Sequence, residues 1–205
     1  MLAVARRMKK SDPKLEIVFF TTMPALHILQ DEGFPAYHLP NRKKFTNMDP
    51  STWNAITEEM LANVFAIHRP KAFVFDGTYP YRGMLNAIKR RKDIIRIWMR
   101  RGTFKRGASN VPVDSFSHFD LIVRPSDSVA EEGDEEEGMP PIIHCDPILL
   151  VDSDESLPSN FLRSRLGIPS EVTLVYVQLG AGRINDIFSD VWITTQTLSE
   201  AGAFV

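Results

Sequence analysis

A nine-residue segment, QLGAGRIND at 178–186, has the composition of a phosphate-binding loop. An apolar, strand-like run precedes it and a helix-like segment follows it. Gly180 and Gly182 let the backbone turn sharply and approach a ligand closely, and the first N–H groups of the helix would face an anion. We expect these groups and Arg183 to hold a phosphate or pyrophosphate. A plain tight turn is the alternative, because Asn185 stands where the full Gly-x-Gly-x-x-Gly pattern has its third glycine.

A second group of polar residues follows the apolar run AFVFD at 72–76. Ligands of open α/β sheets bind outside the carboxyl ends of the strands, and Asp76, Thr78 and Tyr79 occupy such a position. The Asp76 carboxylate can accept a proton from a hydroxyl group or bind a sugar hydroxyl. The alternative is that Asp76 only caps the next helix.

Basic residues are concentrated between Arg82 and Arg106, where ten of them stand against one acid, Asp93. Arg100 and Arg101 follow the run IIRIW, and an arginine pair at a strand end suits an anionic group. Plain surface charge is the alternative. Because apolar residues run through the same stretch, weak peripheral contact of 82–106 with an anionic membrane is a further hypothesis. No nucleic-acid-binding module is recognisable, so we expect no nucleic-acid partner.

These residues require a scaffold, and six short apolar runs rich in β-favouring residues predict its strands. The runs are Leu15–Thr22, Ala72–Asp76, Ile94–Trp98, Phe119–Val123, Ile142–His144 and Val172–Gln178. Helix signals lie between them, such as Asp49 as an N-cap before a proline. Alternation of strand and helix predicts an α/β fold with a Rossmann-like, doubly wound parallel sheet that lacks its first strand.

The chain also divides by composition. We predict an acceptor-side domain over 1–140, an interdomain linker rich in Pro, Asp and Ser over 141–170, and the start of a second Rossmann-like domain over 171–205. The sequence opens on a helix rather than a strand, and the second domain has room for one strand and one helix. We therefore expect a fragment of a longer protein.

The composition of the 205 residues excludes several classes of protein. A hydrophobic fraction of 43%, a charged fraction of 24% and a net charge of −2 are typical of a globular protein and favour no polyanionic partner. Cys145 is the single cysteine, which excludes a disulfide-built fold. The five histidines lack metal-ligand spacing, so we expect no metal. No apolar run reaches the roughly 18 residues of a membrane span, and we expect a reducing, cytoplasmic setting.

Taken in order, the segments resemble a GT-B glycosyltransferase of the MurG-like branch, which transfers N-acetylglucosamine from a UDP-sugar. The segments that carry the resemblance are FFTTMPALHILQDEGFPAYHLP, RPKAFVFDGTYP, FDLIVRPSD, CDPILL and VYVQLGAGRIND. The pair Asp76-Gly77 stands where the family has two glycines at the acceptor cleft. Asn185 falls on a matching position of the donor-domain loop.

The resemblance implies two Rossmann-like domains, with an acceptor bound by the first and a UDP-sugar by the second. The donor diphosphate would then contact Gly180, Ala181, Gly182, Arg183 and Asn185. The acceptor side would be lined by Thr78, Tyr79, Arg100 and Arg101. No metal or other cofactor is implied, since backbone N–H groups and the helix dipole stabilise the leaving diphosphate. The resemblance supplies no catalytic base, and Asp76 is the candidate from the residues themselves.

We therefore expect part of a nucleotide-sugar-dependent glycosyltransferase whose partners are the nucleotide sugar and an unknown acceptor. The full-length protein would transfer the sugar, and the 205-residue chain alone would be inactive. Two alternatives stay open. One is a non-hydrolysing sugar-nucleotide 2-epimerase, which shares the fold, and the other is a non-catalytic scaffold protein that keeps the fold without the site.

Overall fold

The structure is a computed structural model that describes residues 1–45, 47–100, 114–126, 138–179 and 187–205. The chain forms two compact units, Met1–Leu150 and Val151–Val205. The architecture of the first unit is α/β with parallel sheets, as the sequence predicts.

The first unit contains two parallel sheets. In the smaller one, β1 (Phe19–Thr21) pairs with β2 (Ala36–His38). The larger sheet has four strands in sequential order, β3 (Ala72–Asp76), β4 (Ile95–Met99), β5 (Leu121–Pro125) and β6 (Ile142–Cys145). Five of these six strands lie within or overlap one of the predicted runs, and β2 lies outside all of them.

Four helices accompany these strands in the described part of the first unit: α1 (Leu2–Ser11), α2 (His27–Asp31), α3 (Pro50–His68) and α4 (Arg82–Lys89). Short 3-10 turns cover Arg42–Lys44 and Phe116–His118. In parallel sheets a helix commonly links one strand to the next, and α4 makes such a link between β3 and β4.

The predicted cap of α3 is confirmed. The Asp49 carboxylate accepts hydrogen bonds from the backbone N–H groups of Ser51 at 2.9 Å and Thr52 at 3.0 Å. Pro50 takes the first helical position, where its missing N–H costs nothing. Side-chain hydrogen bonds from Ser51 and Thr52 hold the pKa of Asp49 well below its usual range. The helix ends at His68, because the φ of 47° at the next residue, Arg69, breaks the helical path.

The main core lies between α3, α4 and the four-stranded sheet. Leu61 and Phe65 of α3 and Ile88 of α4 pack there with Trp98 and Ile122 from the strands. Burial of each such large apolar side chain stabilises the fold by about 1.5–3 kcal/mol. The carboxyl ends of these strands therefore extend from a well-packed core.

The second unit contains α5 (Phe161–Leu166) and α6 (Phe188–Glu200). The prediction of a strand over Val172–Gln178 is wrong for the structure described, because this run has only an isolated parallel bridge between Leu174 and Phe204. Two backbone hydrogen bonds, from Val175 N–H to Phe204 and from Phe204 N–H to Thr173, make that bridge. A strand needs a neighbouring strand that pairs with its backbone N–H and C=O groups. The Tyr176 side chain in this run is also 84% exposed, so it is not packed into a core as a residue of a buried strand would be.

Candidate functional site

The carboxyl ends of the four parallel strands form one edge of the larger sheet. In the register Asp76 stands opposite Met99, Met99 opposite Val123, and Pro125 opposite Cys145. Residues that directly follow these positions therefore project from a common edge. Open α/β sheets bind their ligands at this edge, so we take it as the candidate site and name it the carboxyl edge.

Asp76 is the last residue of β3, and its side chain is 18% exposed. The α-amino group of Met1 donates a hydrogen bond to its Oδ2 at 2.9 Å. The alternative role as a helix cap is wrong, because the N-cap of α4 is Tyr81 and the first-turn N–H of Gly83 donates to the Asn54 side chain. The Asp76 carboxylate therefore lies at the carboxyl edge and does not cap the next helix.

The loop after Asp76 is held against the neighbouring strand. The Trp98 indole N–H donates to the Gly77 carbonyl oxygen at 2.9 Å. Gly77 is also crowded, since a Cβ there would lie 2.6 Å from the tip of the Phe75 ring. The two residues that follow, Thr78 and Tyr79, are exposed. The loop therefore presents two hydroxyl groups to solvent from a fixed starting point.

Arg100 directly follows β4 and is 7% exposed, so the interpretation as plain surface charge is wrong. Its backbone N–H donates to the Val123 carbonyl at 2.9 Å. Its guanidinium carbon lies 5.1 Å from the ring centroid of Phe116 and 5.8 Å from that of Trp98. These distances suit cation–π attraction, which is stronger where the cation is withdrawn from water. Arg101, its predicted neighbour in the site, lies outside the described residues.

A charged cluster beside α4 was missed by sequence reasoning. The Arg82 guanidinium donates two hydrogen bonds to the Asp114 carboxylate, of 2.7 and 2.8 Å. Nε2 of His118 lies 3.5 Å from the same carboxylate. The hydrogen bonds from Arg82, and after them the one from His118, hold the pKa of Asp114 well below its usual range. The four-residue spacing of Asp114 and His118 is the only trace of this cluster in the sequence.

Three further arginines of the 82–106 stretch are paired with acids. Arg90 lies 2.7 Å from Glu58, Arg91 lies 2.7 Å from Asp93, and Arg96 binds Asp120. The apolar side of α4, with Leu85 and Ile88 fully buried, faces the core. Membrane contact through this stretch stays a prediction.

The predicted donor-binding residues Gly180, Ala181, Gly182, Arg183 and Asn185 all lie outside the described residues. The helix expected after them is present as α6, which begins at Phe188. Their role as a diphosphate site stays a prediction.

Within the described ranges, no three His, Cys, Asp or Glu side chains are grouped as a metal site would need. Within the same ranges, every helix is too short or too polar to cross a bilayer. No protein-family profile, curated protein or solved structure matches this chain.

Proposed function

We propose that this chain is part of a nucleotide-sugar-dependent glycosyltransferase whose carboxyl edge binds the acceptor. One observation carries the proposal: parallel pairing of β3 with β4 brings Asp76 and Arg100 to the same edge. A carboxylate binds and deprotonates hydroxyl groups, and a guanidinium binds anionic groups. The exposed hydroxyls of Thr78 and Tyr79 add hydrogen-bonding capacity beside them.

In the proposed reaction an acceptor hydroxyl attacks the anomeric carbon of the donor sugar. The bond from that carbon to the diphosphate breaks, and the nucleoside diphosphate leaves with the electron pair. Asp76 takes the proton of the attacking hydroxyl.

The donor side of the proposal rests on the 180–185 segment and its resemblance to donor-domain loops. Gly180, Ala181 and Gly182 would offer backbone N–H groups to the diphosphate, and Arg183 and Asn185 would add side-chain donors. Such donors act where charge develops on the leaving group, which lowers the barrier more than it tightens substrate binding. In this proposal these donors stabilise the negative charge of the leaving diphosphate, which a metal ion does in other transferases.

Calorimetric titration with UDP tests the donor side, using the protein expressed from its full reading frame. We expect saturable binding with a Kd of about 1 mM or tighter, the range of ordinary enzyme substrates. An absence of binding at millimolar UDP would refute the proposal and favour a non-catalytic scaffold. Conversion of a UDP-sugar to its 2-epimer would favour the epimerase instead.

Substitution of Asp76 tests the proposed base. In the protein expressed from its full reading frame, Asp76→Asn should lower kcat for UDP release from UDP-N-acetylglucosamine by about 10²–10⁴-fold, with cell extract as the source of acceptor. Asp93→Asn is the matched control, because Asp93 precedes β4 and therefore lies away from the carboxyl edge, bound to Arg91. Full turnover by the Asp76→Asn variant would remove Asp76 from the mechanism.

A further inference from the structure

A cavity of about 250 Å³ lies in the first unit, between the 3-10 turn Arg42–Lys44, the first turns of α3 and the start of α4. Its walls include Arg42, Lys43, Trp53, Asn54 and Tyr81. We propose that this cavity binds a small phosphate monoester whose alcohol part is a six-membered ring. The phosphate would contact Arg42 and Lys43, and the ring would lie against Tyr81. This inference goes beyond the proposed function, since it requires neither a nucleotide sugar nor transfer.

The two cations stand on a fixed turn. The Asn41 side-chain oxygen accepts the backbone N–H of Lys43 at 3.1 Å, which holds the turn. The Arg42 guanidinium donates to the Met48 carbonyl at 3.3 Å, and this contact uses one of its five N–H groups. Both side chains are exposed and retain donors for a ligand.

Charge favours a phosphate over a carboxylate as the anion. Residues 42–50 carry three cations, Arg42, Lys43 and Lys44, against the single acid Asp49, which leaves a net charge of +2. The Asp49 carboxylate accepts hydrogen bonds from Ser51 and Thr52 at the start of α3. It therefore caps that helix and is not bound to Arg42 or Lys43. A phosphate monoester carries a charge of about −1.5 to −2 at pH 7, whereas a carboxylate carries a single negative charge.

The ring-binding wall is built from two aromatic side chains. Trp53 is 3% exposed, and its indole N–H donates to the Pro40 carbonyl at 3.0 Å. Tyr81 packs edge to face on it, with ring centroids 4.8 Å apart, and is itself 40% exposed. A fixed aromatic ring that is partly open to solvent offers an apolar face to a sugar or aryl ring.

The floor of the cavity is held by Asn54. Its side-chain nitrogen donates to the Pro50 carbonyl at 2.7 Å, and its side-chain oxygen accepts the Gly83 N–H at 2.8 Å. A site whose walls are already fixed loses little conformational freedom when a ligand binds.

The size of the cavity limits the ligand. Pockets for drug-sized molecules span about 300–1,000 Å³, and this one is smaller at about 250 Å³. One ring with one phosphate suits this volume, and a complete nucleotide sugar does not. The ligand class is therefore a single phosphorylated ring, either a sugar phosphate or an aryl phosphate.

The test is a calorimetric titration of the full chain with phenyl phosphate, glucose 1-phosphate and inorganic phosphate. We expect one of the two esters to bind with a Kd of about 1 mM or tighter, and the ester that binds identifies the ring as aryl or sugar. Inorganic phosphate should bind more weakly than that ester.

Two variants locate the binding. R42Q/K43Q should weaken the ester by about tenfold, or about 1.4 kcal/mol. The matched control K44Q removes a neighbouring cation of the same turn that does not line the cavity, and should change the Kd less than about twofold. Tyr81→Leu should weaken the ester but leave binding of inorganic phosphate unchanged.

Four results would overturn the proposal. They are no saturable binding of either ester up to about 10 mM, equal weakening by K44Q and R42Q/K43Q, inorganic phosphate binding as tightly as the esters, and no effect of Tyr81→Leu on the ester.

Discussion

Replacing Gly83 with alanine measures how closely α3 and α4 must approach each other. Gly83 lies in the first turn of α4, and its backbone N–H donates to the Asn54 side chain. A Cβ at this position would lie 2.0 Å from the backbone oxygen of Asn54 and 2.8 Å from its carbonyl carbon. An ordinary carbon–oxygen contact needs about 3.3 Å. The helices must therefore separate by about 1 Å or more, since the obstructing atoms belong to backbone and cannot rotate away.

The expected loss of stability follows from three contributions. Forcing an extra methyl group into a packed contact costs about 1–3 kcal/mol. Loss of the hydrogen bond between Gly83 and Asn54 costs about 1 kcal/mol. Alanine returns at most about 1 kcal/mol through its higher helix propensity. We expect Gly83→Ala to lower the free energy of unfolding by about 2 kcal/mol.

Urea unfolding followed by tryptophan fluorescence is the assay, because Trp53 and Trp98 both lie in the core of the first unit. Gly77→Ala is the matched control. A Cβ there meets the tip of the Phe75 ring, which is a side chain and can shift, so its loss should be smaller. A Gly83→Ala protein within about 0.5 kcal/mol of the parent would refute the argument from close approach.

Two further substitutions test polar contacts away from this crossing. Tyr37→Phe removes the hydroxyl that lies 3.0 Å from Nε2 of His68, and should lower the free energy of urea unfolding by about 1 kcal/mol; an unchanged value would show that this contact contributes nothing. Asp120→Asn tests the pH dependence that Arg96 creates, since hydrogen bonds from Arg96 lower the pKa of Asp120 below its ordinary 3.8. A carboxylate with a lowered folded-state pKa stabilises the fold above its ordinary value and loses that contribution as the pH falls through the folded-state pKa. The stability difference between parent and Asp120→Asn should therefore be present at pH 7 and vanish in strong acid, and a constant difference across a pH series of melts would contradict the assignment.

Local sequence was sufficient where the determining contacts lie within a few residues. Asp49 binds the N–H groups of Ser51 and Thr52, so four consecutive residues, 49–52, determine where α3 starts. Its end at His68, followed by Arg69 and a proline, is equally local. The alternation of such helices with apolar runs was also sufficient to predict parallel strands.

Other features depend on contacts between distant parts of the chain. The run Val172–Gln178 is rich in apolar residues, as β3 is, yet among the described residues it forms only one bridge. Strand formation requires a neighbouring strand, which the local pattern cannot guarantee. The local sequence of Arg100 is compatible with a surface cation, and only the fold brings its guanidinium against the Phe116 ring. Arg82 and Asp114 are 32 residues apart, and only the packing of α4 brings them together.

The segment between β3 and α4 connects the two proposed sites. Asp76 stands at its start and Tyr81 at its end, and the segment is anchored by the hydrogen bond from Trp98 to Gly77 and by that from Gly83 to Asn54. A change at Gly83 should therefore disturb both sites together. Asp76→Asn removes a charge from the carboxyl edge alone, and R42Q/K43Q removes charges from the cavity alone. Loss of ester binding in R42Q/K43Q with unchanged UDP release would establish that the cavity is separate from the transferase site, because a shared site would lose both.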